Sequence, residues 1–208
     1  MTDIRKAAYL PPASTRQRIG IFGGSFDPPH AGHLHVAETA LKQLDLDQVW
    51  WFPARGNPLK NAPSDFDRRL DAVHALASSN RAMRVSDIEE RVRITYTVDL
   101  VRLLRAHCAE AQLVWLMGSD SLQYFHKWKD WRTIAGMIPI AVVARPGSTM
   151  AARNSIFAQI FQLNRVPRRS LKALPNAAPP AWGFLTAPLN PASSTALRGS
   201  RRPKRSNS

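Results

Sequence analysis

The fold of this chain is most constrained by a turn over 23–33, which is rich in glycine, proline and histidine and joins two patterned runs. The apolar run before the turn, at 18–22, is typical of a buried strand. After the turn, apolar residues recur at helical spacing over 34–44. A strand, a tight turn and a helix in this order predict an α/β fold with the turn at the carboxyl end of a strand.

The turn also predicts a site for a phosphate group. Gly23 and Gly24 allow backbone conformations that are closed to other residues, and they let a ligand approach closely. His30 and His33 are three residues apart near the predicted helix start, where they can lie on one face. A helix start offers unpaired N–H groups and partial positive charge, and two imidazoles add donors for the same anion. The simpler alternative is an ordinary turn followed by a helix with surface histidines.

Strands and helices alternate along the rest of the chain, which predicts a doubly wound, mostly parallel α/β sheet of the Rossmann-like kind. Further strands are predicted at 48–52, 83–88, 112–117, 138–144 and 182–186. Helices are predicted at 64–79 with Ser64 as N-cap, within 94–108, at 121–136, at 150–163 and after 193–195. Residues 166–180 show little apolar pattern and are predicted to form a loop. Because the loops of interest follow strand ends, we expect them at one edge of the sheet, where ligands bind in such folds.

The composition fits one domain with an anionic partner. The 208 residues are 44% hydrophobic, which is enough for one sizeable core. The net charge of +14 favours a nucleotide, a nucleic acid or an acidic surface as partner. We expect a flexible N-terminal arm at 1–17, a single domain at 18–199 and a basic disordered tail at 200–208.

The sequence lacks the marks of a secreted or membrane-spanning protein. The single cysteine, Cys108, excludes an internal disulfide and a multi-cysteine zinc site, and its helical surroundings predict that it is buried or half-buried. No apolar stretch approaches the length that spans a bilayer, and 1–17 lacks the apolar middle of a secretory signal. We therefore expect a cytoplasmic protein with no membrane partner.

Two further runs carry polar groups suited to a nucleotide. Gly118 and Asp120 follow a predicted buried strand, where a short acid can accept hydrogen bonds from ribose hydroxyls. Ser194, Thr195 and Arg198 combine hydroxyls, a helix start and a guanidinium, which suit a triphosphate. Taken alone, each run is better explained by helix capping, with Arg198 in solvent.

Residues 24–33 resemble the signature of the nucleotidylyltransferase superfamily, G-x-F-D-P-x-H-x-G-H, at every fixed position. Within that superfamily, the runs at 49–60, 95–99, 118–131, 145–147 and 193–198 are similar to those of bacterial nicotinate-nucleotide adenylyltransferases. The resemblance covers 18–199 and implies a nucleotidylyltransferase domain there. It implies adenylyl transfer from ATP to nicotinic acid mononucleotide, giving deamido-NAD and pyrophosphate in NAD biosynthesis. Leu59 and Leu100 depart from the family, which has histidine and threonine at these positions.

The resemblance also assigns the site. The implied catalytic residues are His30, His33 and Arg198. The implied ATP-binding residues are Gly23, Gly24, Ser25, Phe26, His30, His33, Gly118, Asp120, Ser194, Thr195 and Arg198. The implied binding residues for the mononucleotide are Lys60, Tyr96, Thr97 and Trp128. No protein metal ligand is assigned, since Mg²⁺ is expected to arrive with ATP and bridge its phosphates.

Within this assignment, His30 contacts the transferring phosphate, His33 the triphosphate, and Trp128 the pyridine ring. Tyr96 and Thr97 face the nicotinate carboxylate. For Trp128 the alternative is core packing, which is our prediction for the nearby Trp131. For Lys60 the alternative is a solvated loop residue.

Other functions stay open at this point. A sister adenylyl- or cytidylyltransferase would use another phosphate acceptor, such as nicotinamide mononucleotide or phosphopantetheine. A basic nucleic-acid-binding module would explain the charged tail but not the histidine turn. We expect no specific nucleic-acid partner, and the residue pattern leaves the oligomeric state open.

Overall fold

A computed structural model describes residues 9–56, 65–186 and 188 of the protein. Over these residues the centre is a six-stranded sheet, in which all neighbouring strands run parallel. The strands are β1 (Arg18–Gly24), β2 (Gln48–Pro53), β3 (Met83–Val85), β4 (Gln112–Gly118), β5 (Ile140–Val143) and β6 (Trp182–Leu185). Their spatial order, β3-β2-β1-β4-β5-β6, reverses direction between β1 and β4, which confirms the predicted doubly wound sheet.

Helices cover both faces of the sheet. They are α1 (Ala31–Leu44), α2 (Phe66–Ala77), α3 (Ile88–Arg91), α4 (Thr97–His107), α5 (Ser119–Leu122), α6 (Trp131–Met137), α7 (Thr149–Arg153) and α8 (Ile156–Ile160). Short 3₁₀ segments lie at Phe125–Lys127, Gln162–Asn164 and Arg168–Asn176. No helix within the described ranges is long and apolar enough to cross a bilayer.

The strands are continuous apolar runs because both of their faces are buried. In β4, Leu113 and Trp115 pack into the core under α4 and α6, whereas Val114 and Leu116 pack into the core under α1 and α2. Successive side chains of a strand point to opposite faces, so one strand contributes side chains to the hydrophobic cores on both faces of the sheet.

The prediction of one continuous helix over 121–136 is wrong. The chain forms α5, a 3₁₀ segment and α6 instead. Asp130 has a left-handed φ of 51° directly before α6, which a continuous α-helix does not allow. The predicted helix over 150–163 is likewise split into α7, α8 and a 3₁₀ segment, because Ser155 caps α8 by accepting the Ala158 N–H at 3.2 Å.

Three smaller predictions also need correction. Helix α2 begins at Phe66 with Asp65 as its N-cap, not with Ser64, and the Asp65 carboxylate accepts the Arg68 N–H at 3.0 Å. Strand β3 ends at Val85 rather than at 88. The predicted loop at 166–180 contains a 3₁₀ helix, whose three-residue period buries both Leu171 and Leu174.

The predictions for Cys108 and Trp131 are confirmed, since both side chains are buried. Part of the predicted N-terminal arm contacts the domain: Ser86 donates to the Tyr9 carbonyl at 2.7 Å, and the Arg16 N–H donates to the Glu110 carbonyl at 2.8 Å. The division into arm, domain and tail stays a prediction. The predicted helix after 193–195 and the tail lie outside the described residues.

Candidate active site

The candidate site lies where the strand order reverses. The chain leaves β1 at Gly24 and enters the histidine turn, and it leaves the adjacent β4 at Gly118 and enters α5. In an open parallel sheet, a crevice forms between two such neighbouring connections. The fold therefore brings His30, from the first connection, near Asp120, from the second; the charge of Asp120 acts on the His30 ring.

His30 and His33 together form the N-terminal cap of α1. The Nδ1 atom of His30 accepts the Gly32 N–H at 3.0 Å, and the Nδ1 atom of His33 accepts the His30 N–H at 3.3 Å. The ring centroids are 3.8 Å apart. This arrangement has the reciprocal form of a capping box, with imidazoles in place of the usual hydroxyl and carboxyl groups.

The cap changes which groups are offered to a phosphate. The sequence predicted unpaired amides at this helix start, but the Gly32 N–H is taken by His30 Nδ1 and the His33 N–H by the His30 carbonyl. A ring nitrogen that accepts a hydrogen bond carries no proton, so each neutral ring must be protonated at Nε2. The two amide donors are therefore used within the cap, and the Nε2–H groups of the two rings become the donors available to a ligand.

His30 is held in its neutral form. The pKa of His30 is lowered from 6.5 to about 4, mainly because burial disfavours the charged ring, and further by the charge of Arg145. Asp120 acts in the opposite direction and is the smaller influence. His30 is only 6% exposed. A neutral imidazole donor at neutral pH can bind a phosphate oxygen without becoming a general acid.

Arg145 is a site residue that the sequence reasoning did not select. It follows β5, and its Nη1 lies 3.2 Å from Oδ2 of Asp120, with the guanidinium side chain only 12% exposed. The signal available in the sequence was a cation directly after a buried strand. Because β5 neighbours β4, that position places Arg145 at the edge that holds Asp120.

Hydrogen bonds also join the residues that follow β4 and β5. The Ser119 hydroxyl accepts the Arg145 N–H at 2.8 Å and lies 2.6 Å from the Ser148 hydroxyl. A Cβ atom on Gly118 would clash with the Asp120 carboxylate and lie 2.7 Å from Cδ of Arg145. A side chain at position 118 would therefore have to displace the Asp120 carboxylate and the Arg145 side chain. Asp120 pairs with Arg145 and makes no capping hydrogen bond to α5, so the capping alternative is not observed.

The buried Phe26 ring packs against the His33 ring. It is 2% exposed and meets the His33 ring edge-to-face at 5.0 Å. Trp51 in turn lies 5.2 Å from Phe26. Phe26 has a φ of +46°, a left-handed conformation that is uncommon outside glycine. Burial of the ring holds this conformation in place. Gly24 gives the ring room, since a Cβ there would lie 3.1 Å from it.

The predicted residues for the pyridine ring form a second group near the first. Trp128 is half-buried and meets Trp115 edge-to-face at 6.3 Å. The Trp115 ring lies against Gly23, where a Cβ would be only 2.6 Å from it. Trp128 therefore lies one aromatic ring away from the end of β1. Tyr96 is the N-cap of α4, and the Lys129 ammonium sits 4.2 Å from its ring centroid.

The remaining predicted residues divide into two sets. Ser25 lies in the turn, where its carbonyl is bound by Arg69, and Thr97 is the first residue of α4. Lys60, Ser194, Thr195 and Arg198 lie outside the described residues. Among the residues that the structure does describe, no group of three or more His, Cys, Asp or Glu side chains is placed to hold a metal ion.

Comparison with known proteins shows the family of the chain. The model of the cytidylyltransferase-like family matches residues 21–200. A protein of Ruegeria sp. (strain TM1040), named probable nicotinate-nucleotide adenylyltransferase, is 45% identical over 181 residues, which is 86% of this chain and 95% of the relative. A protein of the same name from Caulobacter sp. (strain K31) is 46% identical over 184 residues, 88% of this chain and 97% of the relative.

Solved structures show the same fold. The nicotinic acid mononucleotide adenylyltransferase of Plasmodium falciparum, complexed with NaAD, has a TM-score of 0.67 to this chain at 17% identity. The match covers 88% of this chain and 83% of that one. At this identity, the likeness concerns the architecture alone.

Proposed function

The chain belongs to the nicotinate-nucleotide adenylyltransferases of the cytidylyltransferase-like family, and from that premise we propose how its residues carry out the reaction. The enzyme transfers the adenylyl group of ATP to nicotinic acid mononucleotide. A phosphate oxygen of the mononucleotide forms a bond to the α-phosphorus of ATP. The bond from that phosphorus to the bridging oxygen breaks, and pyrophosphate leaves with the electron pair.

The attacking phosphate is already an anion at neutral pH, so the site needs no strong general base. The task of the protein is then to align the two nucleotides and to stabilise charge on the phosphoryl oxygens. The observation that carries the proposed mechanism is the pair of capping imidazoles at the point where the strand order reverses. In each ring Nδ1 accepts a backbone N–H, which leaves Nε2 as the nitrogen that can donate to a ligand.

We propose that His30 donates to the transferring phosphate and His33 to the triphosphate. Donors that are already oriented before the substrate binds need no rearrangement when charge develops. Gly118 and Asp120 would hold the ATP ribose, and Arg145 supports the orientation of Asp120 through their ion pair. Trp128 would cover the pyridine ring. The proposed roles of Lys60, Ser194, Thr195 and Arg198 rest on the family resemblance alone.

We propose that Mg²⁺ enters as part of the ATP substrate. The Asp120 carboxylate is engaged by Arg145, which supports a metal held mainly by phosphate oxygens. Mg²⁺ commonly keeps several waters and takes its remaining ligands from phosphates. It would neutralise charge on the phosphate oxygens. The requirement for ATP as a substrate supports the further proposal that the enzyme works in the cytoplasm.

A pyrophosphate-release assay with ATP and a panel of acceptors tests the proposal. We expect turnover with nicotinic acid mononucleotide and much slower turnover with phosphopantetheine or glycerol phosphate. Nicotinamide mononucleotide in the same panel measures the preference for acid over amide. Turnover with phosphopantetheine alone would contradict the assignment, and loss of turnover in EDTA with recovery in Mg²⁺ tests the metal.

A further inference from the structure

Arg69, on α2, is a buried arginine that joins two loops at the carboxyl edge of the sheet. The residue is only 2% exposed. Its Nη1 donates to the Ser25 carbonyl at 2.7 Å and to the Ala54 carbonyl at 2.8 Å. Ser25 follows β1 and Ala54 follows the adjacent β2, so one guanidinium holds the ends of two neighbouring strands. Burying a guanidinium carries a desolvation cost, which charge-assisted bonds to carbonyls offset.

The peptide unit between Ala54 and Arg55 is held from both sides. Arg69 donates to the carbonyl of this unit, and its N–H, that of Arg55, donates to the buried carboxyl of Glu89. In a trans peptide the C=O and the N–H point in opposite directions. Arg69 and Glu89 therefore form hydrogen bonds with opposite sides of the Ala54–Arg55 peptide. These two bonds fix the direction of the backbone where the chain leaves β2.

Among the described residues, the peptide unit between Ser25 and Phe26 has a hydrogen-bond partner on its carbonyl side only. Arg69 takes its carbonyl, so the Phe26 N–H points away from the guanidinium. Within the described parts of the chain, this N–H has no acceptor. The buried Phe26 ring and the left-handed φ of that residue restrict rotation of the plane further. The unit therefore presents a fixed backbone donor on the residue whose ring contacts His33.

We propose that Arg69 is a positioning residue for adenylyl transfer. Its hydrogen bond to the Ser25 carbonyl orients the Ser25–Phe26 peptide so that the Phe26 N–H donates to a phosphate oxygen of the bound nucleotide. This inference rests on the proposed function, which assigns Ser25 and Phe26 to ATP. Arg69 acts through the backbone of the turn and does not itself touch the nucleotide. Glu89 restrains the neighbouring loop, so that the guanidinium has a fixed second anchor at Ala54.

Two substitutions of Arg69 are compared with a matched control. Arg68→Met removes the same charge from the adjacent position of α2, where the side chain is exposed. Arg69→Met is expected to lower kcat by about 10- to 100-fold, because misplacing a donor near the reacting atoms is costly. The KM for ATP should change by less than about threefold. Arg69→Lys keeps the charge but lacks the planar guanidinium, and an intermediate loss is expected.

A second readout separates positioning from simple support of the fold. In ¹⁵N-labelled protein, the Phe26 amide proton is followed by NMR while pyrophosphate or ATP is added. We expect a downfield shift in the wild type and in Arg68→Met, and a much smaller shift in both Arg69 variants. A residue that only supports the fold would lower the melting temperature and leave this shift and the kcat of the folded enzyme unchanged.

The outcomes are distinct. If both Arg69 variants match Arg68→Met in kcat and in the Phe26 shift, the positioning role is overturned. If Arg69→Met does not fold, Arg69→Lys decides by the same two criteria. A wild-type enzyme that releases no pyrophosphate from ATP and nicotinic acid mononucleotide would overturn the proposed function instead.

Discussion

The imidazoles of His30 and His33 lie 3.8 Å apart, and each accepts a backbone N–H of the same helix start through Nδ1. One pair of side chains therefore caps the helix and presents Nε2–H donors at the same time. This dual use links stability to activity, because a change that removes the donor also removes the cap. Variants of His30 have to separate these two effects.

We expect His30→Ala to lower kcat by at least about 100-fold, since it deletes the preorganised donor that we propose for the transferring phosphate. It should also destabilise the protein by about 1 kcal/mol through loss of the cap. His30→Asn retains a capping side chain, so it should recover the melting temperature but not the turnover. His74→Ala, at an exposed position of α2, serves as the control. Near-normal turnover in His30→Ala would remove the catalytic role.

The ionisation of His30 can be followed directly. Burial and the Arg145 charge lower the His30 pKa to about 4, so the ring should remain neutral down to about pH 5. NMR of the His30 Cε1 proton should show no titration between pH 5.5 and 8. Arg145→Met should move the pKa upward, to a value between 4 and 6.5. A wild-type midpoint near 6.5 would contradict the neutral-donor mechanism.

Trp128→Ala tests the binding of the pyridine ring. If Trp128 covers the ring, the KM for nicotinic acid mononucleotide should rise by at least about 10-fold, as expected from the loss of base stacking. The KM for ATP should change far less. Tyr124→Ala, which removes an exposed aromatic ring nearby in sequence, is the control. Trp128 also meets the Phe125 ring edge-to-face at 5.2 Å. Equal effects on both substrates, together with a lower melting temperature, would show that Trp128 only packs against Trp115 and Phe125.

Glu89 predicts a pH dependence of stability. Burial raises the pKa of Glu89 from 4.5 to about 8, although the Arg55 N–H and the Arg69 charge oppose the shift. Between pH 4.5 and 8 the folded state holds a proton that the unfolded state has lost. Stability from this group is therefore full below pH 4.5 and decreases as pH rises through 8, by at most about 1.4 kcal/mol per pH unit.

Glu89→Gln measures this contribution. Glutamine keeps an acceptor for the Arg55 N–H but does not titrate. In urea denaturation from pH 5 to pH 9, the variant should gain stability relative to the wild type as the pH rises. A constant difference between the two proteins across this range would show that the Glu89 carboxyl ionises freely in the folded state.

Local patterns predicted most of the architecture, and they failed where the chain changes direction within a helical run. The periodicity over 34–44 predicted α1, whose start at Ala31 is set by His30 as its cap. Around 121–136 the apolar spacing continues across Asp130, although the left-handed backbone there ends any continuous helix. Spacing alone does not report a single unusual φ, because the flanking turns keep their apolar faces.

The sequence by itself determined the strand–turn–helix start, the parallel alternating architecture, and the concentration at 23–33 of the glycines and histidines that we propose bind phosphate. These follow from periodicity and from residues that are neighbours along the chain. Only the tertiary structure decided that the His30 ring is neutral, that Arg145 pairs with Asp120, and that Arg69 joins the ends of β1 and β2. Those properties arise from burial and from charges on elements that are far apart in sequence. The sequence pattern of each element does not show which elements will meet at the carboxyl edge of the sheet.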